Sequence, residues 1–302
     1  MLISAVLTLA PTQPVTLPAN LGRAAHAWFL NQVRAAAPAL AEALHAPNQE
    51  RPFTVSNLRG PDRNPASRPP ASPRSRGSDP LADQFLSPER TYFLRLTSFW
   101  PELSTLVAER LLPNLPEQTL DLAGATCRVV SFTTDGTAHP WAGQTSFQDL
   151  VQQHTLSPAL PPRQVNLHFA SPTVFRSGGA NVPLPLPGLV FESLVRRWNA
   201  FAPLQIPLEI RRFADEAMVI ARYRLHTERV AFGEEGERGA YPGFVGTCSY
   251  SFLVHDRYWL GLIHLLAAFA FYAGVGARTT MGLGQVRVVP SPQSRVPSQE
   301  KN

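Results

Sequence analysis

The sequence predicts an α+β protein made of two consecutive βαββαβ units, and three observations carry that prediction. Strand-type and helix-type hydrophobic periodicities alternate in this order over residues 1–155, and the same order returns over 156–290. The one strongly glycine-rich segment follows a helical run and precedes a strand-like one, the reverse of what a nucleotide-binding sheet requires.

In the first half, "LISAVLTL" reads as a strand, 21–36 as a helix, "PFTVSNL" and "RTYFLRLTSF" as strands, "PELSTLVAERLL" as a helix and "ATCRVVSFTT" as a strand. A short helix, "PALAEALH", opens on Pro38 before the second strand. In the second half, "RQVNLHFASP" is strand, 188–202 helix, "AMVIARYRLHTERVAF" and "GFVGTCSYSFLV" a long hairpin, 257–273 helix and "QVRVV" strand. The helix over 188–202 sets Phe191, Leu194, Val195 and Trp198 on one face, so Arg196 and Arg197 are expected to point away from it. Two tandem ferredoxin-like (RRM-like) domains, 1–155 and 156–290, are the simplest account. Residues 59–80 form a Pro/Arg-rich insertion with almost nothing apolar to bury, and 291–302 a polar tail; both are expected to be disordered.

Composition narrows the function classes. The net charge of +5 invites a nucleic-acid reading, but 59–80 holds five arginines against two aspartates and so supplies +3 of it. Any binding surface on the folded part must therefore be a local patch. Cys127 and Cys248 lie far apart in apolar contexts, which argues against a disulfide framework, and no histidine set has metal-ligand spacing. No cofactor or metal is expected. The longest apolar run, Tyr258 to Ala273, is shorter than a bilayer span and contains His264, so a buried helix in a soluble, cytoplasmic protein is expected.

The glycine-rich segment, "AGVGARTTMGLGQV", places Gly274, Gly276, Gly282 and Gly284 around Arg278, Thr279 and Thr280. It has neither the strand-loop-helix order nor the Lys-Ser/Thr pair of a phosphate loop, and the only lysine in the chain is Lys301. A helix cap plus a turn accounts for one or two of these glycines. Four suggest that backbone amides approach something closely, with Arg278 adding charge and the two threonines hydroxyls. An RNP-type strand with exposed alternating aromatics is not found.

Taken together, the twin units, "LHAPNQERPFTVSNL" in the first, and "FASPTVFR" with the glycine-rich segment before the last strand in the second resemble CRISPR-associated endoribonucleases. These process repeat transcripts into guide RNAs and belong to the repeat-associated mysterious protein (RAMP) superfamily. The resemblance spans roughly residues 1–290. It implies that CRISPR repeat RNA, often a short hairpin, is held across both domains. It also implies metal-independent cleavage to a 2′,3′-cyclic phosphate and a 5′-hydroxyl, with a product that can stay bound and join an interference complex; some members dimerise. A RAMP-type scaffold that binds guide RNA without cutting it is the alternative.

Such cleavage needs one group to take the 2′-hydroxyl proton, one to protonate the leaving 5′-oxygen, and positive charge at the phosphorane. Histidine suits both transfers. By resemblance His45, before the "PFT" strand, is the first candidate and His26 the second; His26 lies off the helix face carrying Ala25, Trp28 and Gln32 and is expected to project outward. Arg23 or Arg51 would neutralise the phosphate. Arg51 stands where several members have lysine, which keeps the charge but loses a titratable amine. Arg176, Arg196, Arg197, Arg211 and Arg212, together with the glycine-rich segment, are the candidate RNA contacts. The remaining histidines are expected to be buried and satisfied (His264), in strands (His168, His255), or in surface or linker positions (His139, His154, His226).

Overall fold

A computed structural model describes residues 1–46, 49–60, 83–116, 118–231 and 241–290. Most of the predicted insertion, the tail and the tip of the long hairpin lie outside these residues. The first unit runs β1 (Leu2–Pro11), β2 (Val15–Leu17), α1 (Gly22–Ala36), α2 (Pro38–His45), β3 (Phe53–Val55), β4 (Gln84–Leu86), β5 (Tyr92–Ser98), α3 (Pro101–Leu106, continued by helical turns to Asn114), β6 (Thr119–Leu122), β7 (Ala125–Thr133) and β8 (Gly143–Thr145). There follow α4 (Phe147–His154), β9 (Gln164–Thr173), the small hairpin β10 (Phe175–Ser177) and β11 (Ala180–Val182), α5 (Pro187–Phe201), α6 (Ile210–Ala217), β12 (Met218–Val230), β13 (Tyr241–Phe252), α7 (Arg257–Ala273) and β14 (Val286–Val288).

The near-continuous apolar run of β1 has a simple cause: the strand is central. It pairs antiparallel with β5 on one side and with β7 and β8 on the other, in the order β3-β5-β1-β7-β6. The second sheet is ordered β12-β13-β9-β14. Both keep the antiparallel order of the ferredoxin-like fold predicted from the sequence, with β6 added at one edge of the first. Phe29 and Val33 of α1 and Leu103 and Val107 of α3 close the first core over Leu7, Leu9 and Leu94. Phe191, Leu194 and Trp198 of α5 and Ile263, Leu266 and Phe269 of α7 close the second.

Two placements differ from the sequence reading. Helix α4, counted with the first domain by its position in the chain, packs Phe147 and Leu150 into the second core. Arg211 and Arg212, which stand between the helix and the strand read from the sequence, lie on α6.

The two units are joined through a polar seam. Arg95 on β5 is 5% exposed; its Nε donates to Ser4 Oγ (2.8 Å) and Trp141 O (3.1 Å), and its terminal nitrogens to Gln285 Oε1 and Phe271 O of the second unit. The guanidinium also lies over the rings of Phe271 and Trp141, at 4.4 and 4.9 Å. Burial pushes its pKa down to about 9, which leaves it cationic at neutral pH and held by dipoles and π faces. A hydroxyl chain runs beside it: Gln285 Nε2 donates to Thr54, Thr54 to Thr97, and Thr97 to Tyr272 O at 2.6 Å.

The glycine-rich segment lies in this seam. Ser56, which the sequence assigns to a strand reaching 58, leaves β3 to bridge Gly282 of the other unit. Gly284 has φ +67°, and a Cβ there would lie 2.0 Å from Val275 O. Replacing Gly284 with alanine is therefore expected to cost about 3 kcal/mol or more. Gly124, also at positive φ but with nothing within 4 Å, is expected to cost less on the same substitution. Denaturant unfolding of the two variants checks the ordering.

Candidate active site

The start of α1 is fixed by the segment after β3. Asn57 Oδ1 accepts from Leu21 N (2.8 Å) while its Nδ2 donates to Ala19 O (2.6 Å). The first turn then abuts the glycine-rich segment so closely that a Cβ on Gly22 would lie 1.9 Å from Met281 O. One turn later, His26 meets the same segment.

The outward projection expected for His26 is corrected here. It turns into the seam, against the edge of the first core, rather than into solvent. The ring is half-buried, stacked on Phe53 with centroids 5.6 Å apart, and Nδ1 lies 3.1 Å from Thr280 O. A carbonyl can only accept, so Nδ1 carries the proton and the neutral ring keeps its lone pair on Nε2. Burial pushes the His26 pKa below the usual imidazole value; the Thr280 bond works against this, and the nearby Arg51 and His45 lower the pKa further.

His45, the last residue of α2, is exposed, and its Nδ1 donates to Ala41 O at 2.7 Å. By the same argument its Nε2 is the free nitrogen. Arg51 closes that helix: its Nη1 donates to Leu44 O and to Ala46 O (3.1 Å), satisfying terminal carbonyls where a cation is also favoured by the helix dipole. Arg23 is exposed on the first turn of α1, with no hydrogen bond or ion pair among the described residues. The seam thus brings together His26, His45 and Arg51, drawn from two helices and the loop between α2 and β3.

The expected RNA-contact residues divide into two groups. Arg176, on the β10–β11 hairpin, and Arg278, with its guanidinium 4.9 Å from the Tyr241 ring centroid, are exposed. Arg196 is 63% exposed and pairs with Glu50 at 2.6 Å. Arg211 pairs with Glu192 (2.7 Å) and Asp215, and Arg212 with Glu216, all on a solvated helical surface.

Arg197 departs from the sequence reading. It is 7% exposed, donating to Ala273 O (3.0 Å), Gly274 O (2.7 Å) and Gly276 O (2.6 Å). Its position faces the end of α7, whose unsatisfied carbonyls attract a guanidinium more strongly than solvent does. Thr279 and Thr280 are 5% and 8% exposed, and Gly274, Gly282 and Gly284 are buried. The amides of Val275, Gly276, Ala277 and Gly284 donate to Gly284 O, Ser193 Oγ, Val174 O and Pro172 O. Most of the glycine-rich segment therefore turns its backbone inward, and Arg278 at its tip faces out. Sequence reasoning missed Glu50, Asn57 and Phe53 as partners of the site; Glu50 and Phe53 stand within the quoted "NQERPF", but nothing in it signals what they touch.

The other histidines lie apart. Burial and the neighbouring Arg287 and Arg59 push His168 down to about 4, and His264 contacts Pro162 O at 2.9 Å. Among the described residues no cluster of three or more His, Cys, Asp or Glu has the grouping to hold a metal ion, and no helix is long and apolar enough to cross a membrane.

Two ferredoxin-like modules that meet through a glycine-rich segment, one imidazole held against it and a second nearby, define the class to which the sequence resemblance points. The chain belongs to the CRISPR-associated endoribonuclease Cas6 family, whose model matches residues 167–286, with the CRISPR Cas6 N-terminal domain matching 1–152. CRISPR-associated endoribonucleases Cas6 from Mycobacterium tuberculosis (strain CDC 1551 / Oshkosh) and Streptococcus thermophilus are 28% identical over 130 and 122 residues, covering 42% and 40% of this chain. These matches span 40% and 48% of the relatives' own lengths. A Cas6 product complex superimposes with a TM-score of 0.70 at 28% identity, covering 96% of this chain and 99% of that one. A Thermus thermophilus Cas6 does so with 0.64 at 26%, covering 96% and 98%.

The Thr280 contact makes a spectroscopic prediction. Nitrogen-detected NMR of the imidazoles is expected to show His26 as the Nδ1–H tautomer at pH 7, protonating only below pH 6.5.

Proposed function

We propose that this chain is a metal-independent endoribonuclease that binds CRISPR repeat RNA and matures guide RNAs. The observation that carries this reading is the imidazole pair: both rings donate Nδ1–H to a backbone carbonyl, so both keep Nε2 available for proton transfer, and Arg51 lies near them. His26, held neutral by burial, takes the proton of the 2′-hydroxyl. The 2′-oxygen attacks the adjacent phosphorus, the bond to the 5′-oxygen breaks, and His45, entering the cycle as the imidazolium with Nδ1–H still on Ala41 O, supplies its Nε2 proton to that oxygen. The products are a 2′,3′-cyclic phosphate and a 5′-hydroxyl, and exchange with solvent resets the two rings. The remaining guanidinium nitrogens of Arg51, together with Arg23, stabilise charge on the phosphorane.

The RNA backbone runs along the exposed cations. Arg278 and Arg176 flank the glycine-rich tip, and Arg196 lies beyond Glu50; Arg211 and Arg212 lie farther along the helical surface. The relatives named as CRISPR-associated endoribonucleases Cas6 and the superimposable Cas6 product complex support RNA processing by an endoribonuclease.

The test is a single-turnover assay in chelator with the repeat transcript of the source genome. Cleavage at one position is expected, with cyclic-phosphate and 5′-hydroxyl ends, and none when the attacking hydroxyl is replaced by hydrogen. His45→Ala is expected to lose about 10²-fold or more in rate. A wild-type rate in that variant removes His45 from the mechanism, and a stable complex without cleavage favours the scaffold alternative. The rate of the native protein is expected to fall with acidity only below pH 6.5, as His26 becomes protonated, and His26→Asn is expected to abolish that limb. Arg278→Ala is expected to reduce the salt dependence of RNA binding by about one counterion.

A further inference from the structure

Between the imidazole pair and the second unit lies an acid that the reaction does not use. Glu50 is the residue before Arg51, and its carboxylate spans two neighbouring arginines of α5. Oε1 lies 2.6 Å from Arg196 Nη2, and Oε2 lies 3.5 Å from Arg197 Nε. Arg197 is the buried member of the pair, and its two terminal nitrogens hold the carbonyls of Ala273, Gly274 and Gly276. One guanidinium therefore grips the start of the glycine-rich segment and, on its third side, the loop that leaves α2. On the other flank of Glu50, Arg51 donates to Leu44 O and Ala46 O, the carbonyls on either side of His45.

These contacts form one line from the glycine-rich segment through Arg197, Glu50 and Arg51 to the end of α2. His26 is set by the same segment directly, through Thr280 O. Glu50 is the link through which a second-unit backbone that fixes one imidazole can also fix the other. A two-turn helix with an exposed terminal residue has little else to hold its end in place; only Ala41 and Leu44 of α2 are buried.

We infer that Glu50 is a positioning residue for His45, setting the distance between the two imidazoles through its ion pairs with Arg196 and Arg197. The inference rests on the participation of His45 proposed above. A mispositioned acid or base lowers the rate of the chemical step without weakening substrate binding, and a displacement of about 1 Å can cost on the order of 10²-fold. Removing a carboxylate beside the cationic surface also takes away repulsion toward a polyanion, so RNA affinity should hold or rise.

The experiment is a double-mutant cycle on the full chain, using Glu50→Ala, His45→Ala and the double variant, with single-turnover cleavage and equilibrium binding of the repeat transcript. Glu50→Ala is expected to lose about 10- to 100-fold in rate with a Kd equal to or below that of the native protein. In the His45→Ala background the same change is expected to alter the residual rate less than about twofold. A native rate for Glu50→Ala overturns the inference, as does an equal loss in both backgrounds, which would mark a contribution that does not pass through His45. If Glu50→Ala does not fold, Glu50→Gln keeps an acceptor facing the arginines and is expected to give a smaller loss, again absent from the His45→Ala background. A loss present in both backgrounds overturns the inference here too. A native rate for His45→Ala alone defeats the reading on which the inference rests, and is seen without any Glu50 variant. A slow His45→Ala with an additive Glu50 effect defeats only the present inference.

Discussion

The architecture depends on a backbone that turns its carbonyls inward. Between α7 and β14 the chain presents Ala273, Gly274 and Gly276 to a buried arginine and Thr280 to an imidazole, while its own amides close on Gly284, Val174 and Pro172. Such an arrangement is open only to a chain that can pass through positive φ several times in a few residues and tolerate another backbone where a Cβ would stand. The glycines make the seam possible, and the seam determines where the histidines lie. Without that close approach α1 would have no carbonyl to meet at its second turn, and His26 would be the solvent-facing residue its helical position suggests.

Charge in the seam is handled by two different means. Among the described residues Arg95 has no carboxylate partner and is held by neutral acceptors and ring faces, whereas Arg197 holds the end of α7 and pairs with Glu50. The first is a strut between the sheets. A buried guanidinium bonded on every side to fixed acceptors favours one relative placement of two units, because any shift leaves a charged donor without a partner. The second lies close to the surface, where the exposed Arg196 shares the same carboxylate, and so connects the interior of the seam to the cationic face outside. Both arginines use one side chain to satisfy acceptors that belong to separate parts of the sequence.

Much of this was legible before any coordinates. The alternation of β1, α1, β3 and β5, its repetition in the second half, and the helix-loop-strand order around the glycines follow from periodicity and from where glycine and proline stand, so the twin βαββαβ order could be read. The helix that ends at His45 and the strand that follows Arg51 were read from "PALAEALH" and "PFTV". The orientation of Arg197 was not legible, because a helical wheel separates apolar from polar faces but does not record that the end of another helix waits opposite the polar one. The same limit applies to Thr279 and Thr280, polar by type yet buried because their segment folds back on itself. Helix α4 was lost to its neighbours in sequence, since Phe147 and Leu150 pack against residues more than 40 positions away.

The sequence by itself determined the twin ferredoxin-like order, the family, and which titratable and cationic side chains are available for chemistry, since these depend on residue type and local spacing alone. Tertiary structure decided which of them meet. His26 acquires its tautomer from Thr280, 254 positions along the chain, and its lowered pKa from burial where the two units meet, and Glu50 finds Arg196 only once two independently patterned units close on each other. Local preferences can set each helix and strand, but a hydrogen bond between distant residues exists only when the packing of everything between them brings donor and acceptor to about 3 Å.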